Sequence, residues 1–424
     1  MAMRTALFWS GIQSVLRLTL SFVSIKVTAV YLGPAGLALV GQLGNFINLI
    51  QGSVANAIQT AIVKLTAESE GDSERQLSVW QTGFIMALAL GIFVNLVVMA
   101  SARPISSWLF DSSDYWPVIV LTGPCIVLGI IGVIFTGILN GLKCIRELAL
   151  VTIFTTIIGA AIFIPLAYQF GVWGGLIGTP LSGAAIFFMA WFMLRRKGIL
   201  GEKKIVGNWD AGVAREIRAY YPMLLASAAA APFALILVRN ILTSELGLDA
   251  AGYWQAVWRL SDMYTMVMTT ALSFYLMPHL ASMHGDTPFA RALFGTAYKV
   301  ALLTAAGALA IYALRDFVIA IVFTLEFAPI RELLPWQLVG DVFKMACAPL
   351  RMALVIKLRT KWYVAIVIMT PLLHAAFTFA LLPHFQTNAA TLGYALAYMI
   401  TFVLLLVALR DYFVSLRLER QGEV

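Results

Sequence analysis

The sequence predicts an all-α, polytopic membrane protein with twelve transmembrane helices, six in each half of the chain. Three observations predict it. The hydrophobic fraction is 61%, the charged fraction 12% and the mean hydropathy +0.88, against roughly 25% charged in soluble domains. Runs 118–139, 148–167 and 301–314 carry no charge, and a span needs about 20 mostly apolar residues. The remaining Lys and Arg gather at the ends of apolar runs and between them, where they set topology.

The first span covers 5–31 and carries a polar stripe, Ser10, Ser14, Arg17, Ser21, Ser24 and Thr28. It is too long for a cleaved signal, contains Arg17 and Lys26, and lacks a small-residue cleavage site. Leu32-Gly-Pro-Ala-Gly36 then turns the chain into span 2, 35–66. Spans 3 to 6 follow at 78–102, 116–141, 147–169 and 172–194, with Pro124, Pro165 and Pro180 inside them. The polar stretch 195–216 is the longest break and reads as a cytoplasmic linker between lobes 1–194 and 217–424. Span 7, 217–244, is interrupted by Pro222 and Pro232, and Pro232 is the hinge candidate. Spans 8 to 12 follow at 250–281, 292–314, 330–357, 361–383 and 388–412. Spans 1, 8 and 10 hold charges and are the ones a strict hydropathy cut can miss. Six spans per half make the halves parallel repeats. A short echo agrees: Leu32-Gly-Pro-Ala-Gly36 with Gln42 after it, and Leu248-Asp-Ala-Ala-Gly252 with Gln255 after it.

Orientation follows from the basic residues. One set of ends and loops holds Arg4, Lys64, Arg75, Lys143, Arg146, Arg195, Arg196, Lys197, Lys203, Lys204, Arg215, Arg218, Arg291, Lys357, Arg359, Lys361, Arg410, Arg417 and Arg420. The other holds only Arg103, Arg315 and Arg331. Both termini are therefore expected in the cytoplasm. Trp9, Trp108, Trp116, Trp173, Trp191, Trp254 and Trp362 fall near span ends, as an interfacial aromatic belt does.

Six cations lie inside apolar stretches: Arg17, Lys26, Arg239, Arg259, Lys344 and Arg351. A cation at the centre of a span costs at least about 2.5 to 3.5 kcal/mol by insertion scales, so it normally faces an aqueous cavity and has a function. Only Asp262 and Asp341 accompany them, either tuning these bases or taking protons in a coupling cycle. Such a cavity is net positive and suits an anionic substrate such as a lipid pyrophosphate, handled by a transporter rather than an enzyme. Gln337, Asp341, Lys344 and Arg351 share one face of helix 10, and Gln255, Arg259, Asp262, Thr269 and Ser273 repeat the pattern on helix 8. Asp341–Lys344 and Arg259–Asp262 are i,i+3 pairs that can partly neutralise each other. The plainer reading is that these pairs only pin helices together. Lys26 lies opposite Arg17 on an ideal helix, so the two share a cavity only if the helix bends; near a span end, Lys26 can instead snorkel. Arg239 has the same ambiguity, and Lys64 and Lys299 read as anchors.

Other classes fit poorly. The pI near 9.4 reflects topology charges, not a nucleic-acid surface. Cys125, Cys144 and Cys347 lack metal spacing and read as packing residues. His279, His284, His374 and His384 do not pair at metal-ligand spacing. No Gly-rich phosphate loop followed by Lys-Ser or Lys-Thr is present, so no nucleotide site or other cofactor is expected. A cation-coupled multidrug antiporter needs buried carboxylates, and spans 1 to 6 place none deep. A membrane-embedded enzyme predicts a large loop with an acidic or His-rich site.

Trp336-Gln-Leu-Val-Gly-Asp-Val-Phe-Lys344, Leu260-Ser-Asp-Met-Tyr264 with Tyr275-Leu-Met-Pro278, Leu314-Arg-Asp-Phe317 and Leu32-Gly-Pro-Ala-Gly36 together resemble the Wzx flippases. These form part of the polysaccharide-transport branch of the MATE-like multidrug/oligosaccharidyl-lipid/polysaccharide exporter superfamily. Within them the chain looks most like those of enterobacterial common antigen synthesis. The resemblance runs along essentially the whole chain. It implies two six-helix lobes around a V-shaped cationic cavity in the bacterial inner membrane. The implied cargo is undecaprenyl-pyrophosphate bearing a short oligosaccharide, moved from the cytoplasmic to the periplasmic leaflet; an O-antigen unit is an open alternative to the common-antigen one. Arg17, Lys26, Arg239 and Lys344 fall where the family pattern expects a base; Arg259 and Arg351 rest on helical-face reasoning. A polysaccharide polymerase and chain-length machinery are implied as partners by the family alone.

Overall fold

Apolar sequence in a bilayer has to satisfy its backbone internally, and the described apolar stretches do so through helices. The structure is a computed structural model describing residues 2–199, 207–281, 283 and 285–412. Lys203, Lys204, His284, Arg417 and Arg420 lie outside the described residues, as do the side chains of Arg4, Trp9, Ser10, Pro222, Ser273, Tyr275, Pro278 and His279. The chain forms two compact units, 1–236 and 237–424.

The first unit begins with α1 (Ala2–Glu68), which breaks at Gly33 (φ 67°, ψ −170°). That conformation is one only glycine adopts easily, and Pro34 restarts the helix where its missing N–H costs nothing. Then come α2 (Ser73–Ala100), the short α3 (Ala102–Phe110), α4 (Trp116–Gly141) and α5 (Ile145–Arg196). Helix α5 breaks at Gly171 (φ 54°, ψ −132°). The two breaks pack together: Tyr31 meets Tyr168 edge-on at 5.1 Å. Leu43, Ile58, Ile62, Ile119, Ile126, Ile130 and Ile134 are the fully buried heart of this unit.

Helix α6 (Ala211–Ala219) forms within the stretch read as linker and continues past it, ending before α7 (Tyr221–Leu246). Val213, Ala214 and Ile217 are its buried face. Asp210 caps it, accepting from Gly212 N at 2.8 Å and Val213 N at 3.2 Å, and also accepts from Ser78 of α2 at 3.0 Å. Arg75 and Glu216 close the same contact at 2.8 Å. This part of the polar stretch is therefore docked, not a free tether. Helix α7 continues as helix through Pro232.

In the second unit, α8 (Leu248–Ala281), α9 (Asp286–Ala313), α10 (Arg315–Val322), α11 (Ile330–Ile356), α12 (Thr360–Phe385) and α13 (Asn388–Ala408) follow. Phe289, Leu293, Met345, Leu350, Leu354 and Leu405 form its core. The short helices α3 and α10 are features the hydropathy pattern leaves unread.

Among the described residues, eight helices are long and apolar enough to cross a membrane. Two of these, α1 and α5, contain a break. Helices α8 and α11, which carry charges within their length, are not among them.

The halves repeat each other at the level of backbone breaks. Gly33 and Gly247 have φ 67° and 88°, and Gly71 and Gly285 have φ 95° and 90°. Ser101 (φ −102°, ψ 18°) matches Leu314 (φ −97°, ψ 14°). Lys143 and Leu358 are both left-handed, at φ 59° and 53°. Gly171 matches Gln386 (φ 47°, ψ −129°). The sequence offset within these pairs is nearly constant. It also corrects the register of the sequence echo: the counterpart of Gly33 is Gly247, one residue before Leu248-Asp-Ala-Ala-Gly252.

Candidate functional site

The charged residues of α8 and α11 meet in one cluster of the second unit. Asp341 of α11 is 0% exposed. Its Oδ1 accepts from the Ser261 hydroxyl at 2.5 Å and from the Tyr394 hydroxyl at 2.8 Å, and its Oδ2 accepts from Tyr264 at 2.5 Å. Gln337 Nε2 supports Ser261 at 3.2 Å. Spacing explains the supply of partners: Ser261 and Tyr264 are three apart on α8, and Gln337 and Asp341 four apart on α11, so each pair shares a face. Tyr394 comes from α13. A Cβ at Gly340 would stand 2.3 Å from Tyr394 Cδ1, so the glycine lets that ring reach the next residue. Both carboxyl oxygens of Asp341 are thus engaged by hydroxyls from two neighbouring helices.

Lys344, one turn further along α11, reaches across to Asp262 of α8 at 3.3 Å, with side chains 17% and 52% exposed. The i,i+3 pairing expected between Asp341 and Lys344 is thus replaced: each acid engages the neighbouring helix, because α8 and α11 present their polar faces to one another. Lys344 Nζ also lies 5.6 Å over the Trp258 ring. Trp258 stacks on His374 (6.0 Å, 9°) and meets Tyr394 edge-on at 5.3 Å. His374 is fixed through Nε2 to the Ala390 carbonyl at 3.0 Å.

Arg239 of α7 is 2% exposed, donates through Nη2 to Gln255 of α8 and lies 5.3 Å over Trp254. It is not a surface anchor. Trp254 is 0% exposed and touches Trp258 and His374, which removes it from the expected interfacial belt. By the offset of Gly33 from Gly247 and Gly71 from Gly285, Lys26 and Gln42 of the first unit fall one residue away from the positions of Arg239 and Gln255, and Gln42 is likewise buried.

Of the predicted residues, Asp262, Asp341 and Lys344 come together, with Arg239 in an adjoining layer of aromatic rings. Arg259 and Arg351 are half-buried on α8 and α11. Arg17, exposed, and Lys26, half-buried, lie on α1 in the first unit. Sequence reasoning missed Tyr264, Tyr394, His374, Trp254 and Trp258 as parts of this cluster. The signal available was their helical register: Trp258 and Tyr264 flank Asp262, and Tyr394 stands four residues before Tyr398 on an otherwise uncharged span. The cysteines are free, and no cluster of metal-ligating side chains is found among the described residues.

The chain matches the model of a family described as polysaccharide biosynthesis protein over residues 27–332. It is 27% identical over 405 residues to the lipid III flippase of Escherichia coli (strain K12), covering 95% of this chain and 96% of that one. The lipid III flippase of Shigella flexneri matches equally. Among solved structures it resembles an inward-facing multidrug resistance MATE family transporter of the MOP superfamily, with TM-score 0.75 and 14% identity over 94% of this chain and 98% of that one. It also resembles the lipid II flippase MurJ in an inward closed conformation, with TM-score 0.71 and 12% identity over 98% and 90%. At these identities the structural likenesses speak for fold alone.

Proposed function

Because the chain belongs to the polysaccharide biosynthesis protein family, we propose that it is a flippase for undecaprenyl-pyrophosphate-linked oligosaccharide, and that its cargo is lipid III of enterobacterial common antigen. The end-to-end likeness to two lipid III flippases carries this reading. The chemistry of the cations supports it. Lys344 and the guanidinium groups of Arg17, Arg239, Arg259 and Arg351, with Lys26, suit pyrophosphate oxygens as point charges and forked donors. Asp262 sets the resting position of Lys344, and a pyrophosphate competes with it for the ammonium. Asp341 is the shared hydrogen-bond partner that holds α8, α11 and α13 in register.

Transport runs from the cytoplasmic to the periplasmic leaflet by alternating access in the inner membrane, with both termini cytoplasmic. Twelve spans follow if α1 and α5 count twice at their glycine breaks and α8 and α11 are included. The six-plus-six division at 195–216 agrees with the repeated backbone breaks. The protein binds and moves its cargo without covalent chemistry, so it is a transporter rather than an enzyme.

The likeness to a MATE transporter raises a second reading, a cation-coupled multidrug antiporter. Against it, Asp341 is the one carboxylate in the fully shielded class among the described residues, and its oxygens are occupied by hydroxyls. The two readings separate in proteoliposomes. The flippase reading expects leaflet exchange of the glycolipid and no efflux of a cationic dye under a proton or sodium gradient. Gradient-driven dye efflux without glycolipid movement overturns it.

A further inference from the structure

The break at Gly171 folds α5 into a hairpin, so its first and last turns meet. Glu147 and Lys197 join them at 2.7 Å. Beside this bridge lies a cavity of about 140 Å³ lined by Arg146, Glu147, Leu150, Met193, Arg196 and Lys197. Among the described lining residues three cations accompany one acid, and Leu150 and Met193 give the pocket an apolar floor. Next to it Arg195 lies 5.4 Å over Trp191, a half-exposed tryptophan of the kind that sits at lipid headgroup level.

The second unit supplies an internal control. Its equivalent corner, between α11, α12 and the end of α13, is bridged by its own residues. Arg359 donates to the Ala408 carbonyl and pairs with Asp411 at 2.9 Å. Lys357 and Arg359 cover the Tyr412 ring at 5.1 and 5.3 Å. The offset that pairs Lys143 with Leu358 and Gly171 with Gln386 pairs Arg196 with Asp411. Where the second unit places Asp411, paired with Arg359, the first unit places Arg196, another cation.

We propose that this pocket at the two ends of α5 binds the phosphodiester headgroup of an anionic phospholipid from the surrounding bilayer. Forked guanidinium donors match phosphate oxygens, and basic pockets between spans on the cytoplasmic side are suited to such headgroups. The site lies in the first unit alone and does not depend on what cargo is moved.

The test uses the full-length protein in detergent, with native mass spectrometry and thermal melting. Cardiolipin and phosphatidylethanolamine are compared, with inorganic phosphate as a third arm. The expected result is retention of cardiolipin roughly tenfold over phosphatidylethanolamine, a raised Tm with cardiolipin, and no shift with phosphate. Arg196→Asp, which copies the second unit, and Arg146→Gln with Arg196→Gln should abolish the preference, while Arg410→Gln leaves it intact. Wild type without a headgroup preference overturns the proposal even if the variants fail to fold. So does a phosphate shift equal to that of cardiolipin, or full preference in folded Arg196→Asp.

Discussion

Asp341 is where single side chains matter most in the second unit. Replacing it by Ala strands the hydroxyls of Ser261, Tyr264 and Tyr394, at about 1 to 3 kcal/mol for each buried group left unsatisfied. Asp341→Ala is therefore expected to melt well below wild type in detergent. Tyr264→Phe removes one bond and costs about 1 kcal/mol. Equal melting of all three proteins would contradict the hydroxyl-cage role. Lys344 has the opposite profile. It is partly exposed and its partner Asp262 more so, so Lys344→Ala should fold with a Tm near wild type and lose transport. The sequence showed which residues are charged inside spans and which share a face. It did not show that Asp341 bonds to hydroxyls and Lys344 to Asp262. That choice depends on how α8 and α11 are rotated against each other and on Tyr394, a distant residue whose type carries no charge signal.

At the scale of elements, helices were legible because apolar runs in lipid have only one backbone solution. Breaks and caps were less so. The turn at Gly33 was readable from Gly-Pro, whereas its counterpart Gly247 was read two residues out of register. Gln386 had no signal, since its backbone (φ 47°, ψ −129°) is one that glycine takes at the equivalent Gly171. Left-handed backbone costs a side chain roughly 1 to 2 kcal/mol. Gln386→Gly is thus expected to raise Tm and Gly171→Gln to lower it; the reverse order would show that the breaks are not equivalent.

Helix α6 was hidden inside a polar stretch because it is short and only one face is apolar. Its cap makes it pH-sensitive. The Val213 N–H, then the Ser78 hydroxyl and the Gly212 N–H, hold the Asp210 carboxyl below the usual carboxylate range. The folded value lies below the unfolded one, about 3.9. The cap's contribution is therefore fully present above that pH and lost as pH falls through the folded value. Hydrogen-exchange protection factors across 211–219, corrected for the intrinsic pH dependence of amide exchange, should fall on acidification in wild type. Asp210→Asn should keep the cap without this acid dependence, and an unchanged pH profile would contradict the assignment.

For the whole molecule, composition and charge distribution sufficed for a polytopic helical membrane protein, and the comparisons place it in its family. The repeated breaks extend that picture, since two halves built on one backbone plan have since diverged in chemistry. The second half concentrates its buried charge around Asp341 and Lys344, and the first has Lys26 and Gln42 only near, and not at, the positions of Arg239 and Gln255. The role proposed for these cations is to carry an anionic lipid-linked headgroup across the membrane. Leaflet movement of undecaprenyl-pyrophosphate-linked oligosaccharide in proteoliposomes tests it most directly, with wild type beside Arg17→Ala, Lys344→Ala and Lys344→Arg, each checked for folding by Tm. Movement by wild type, partial recovery with Lys344→Arg, and loss in both alanine variants are expected. Wild-type rates in folded Arg17→Ala and Lys344→Ala, or no movement of any lipid-linked oligosaccharide by wild type, would contradict it.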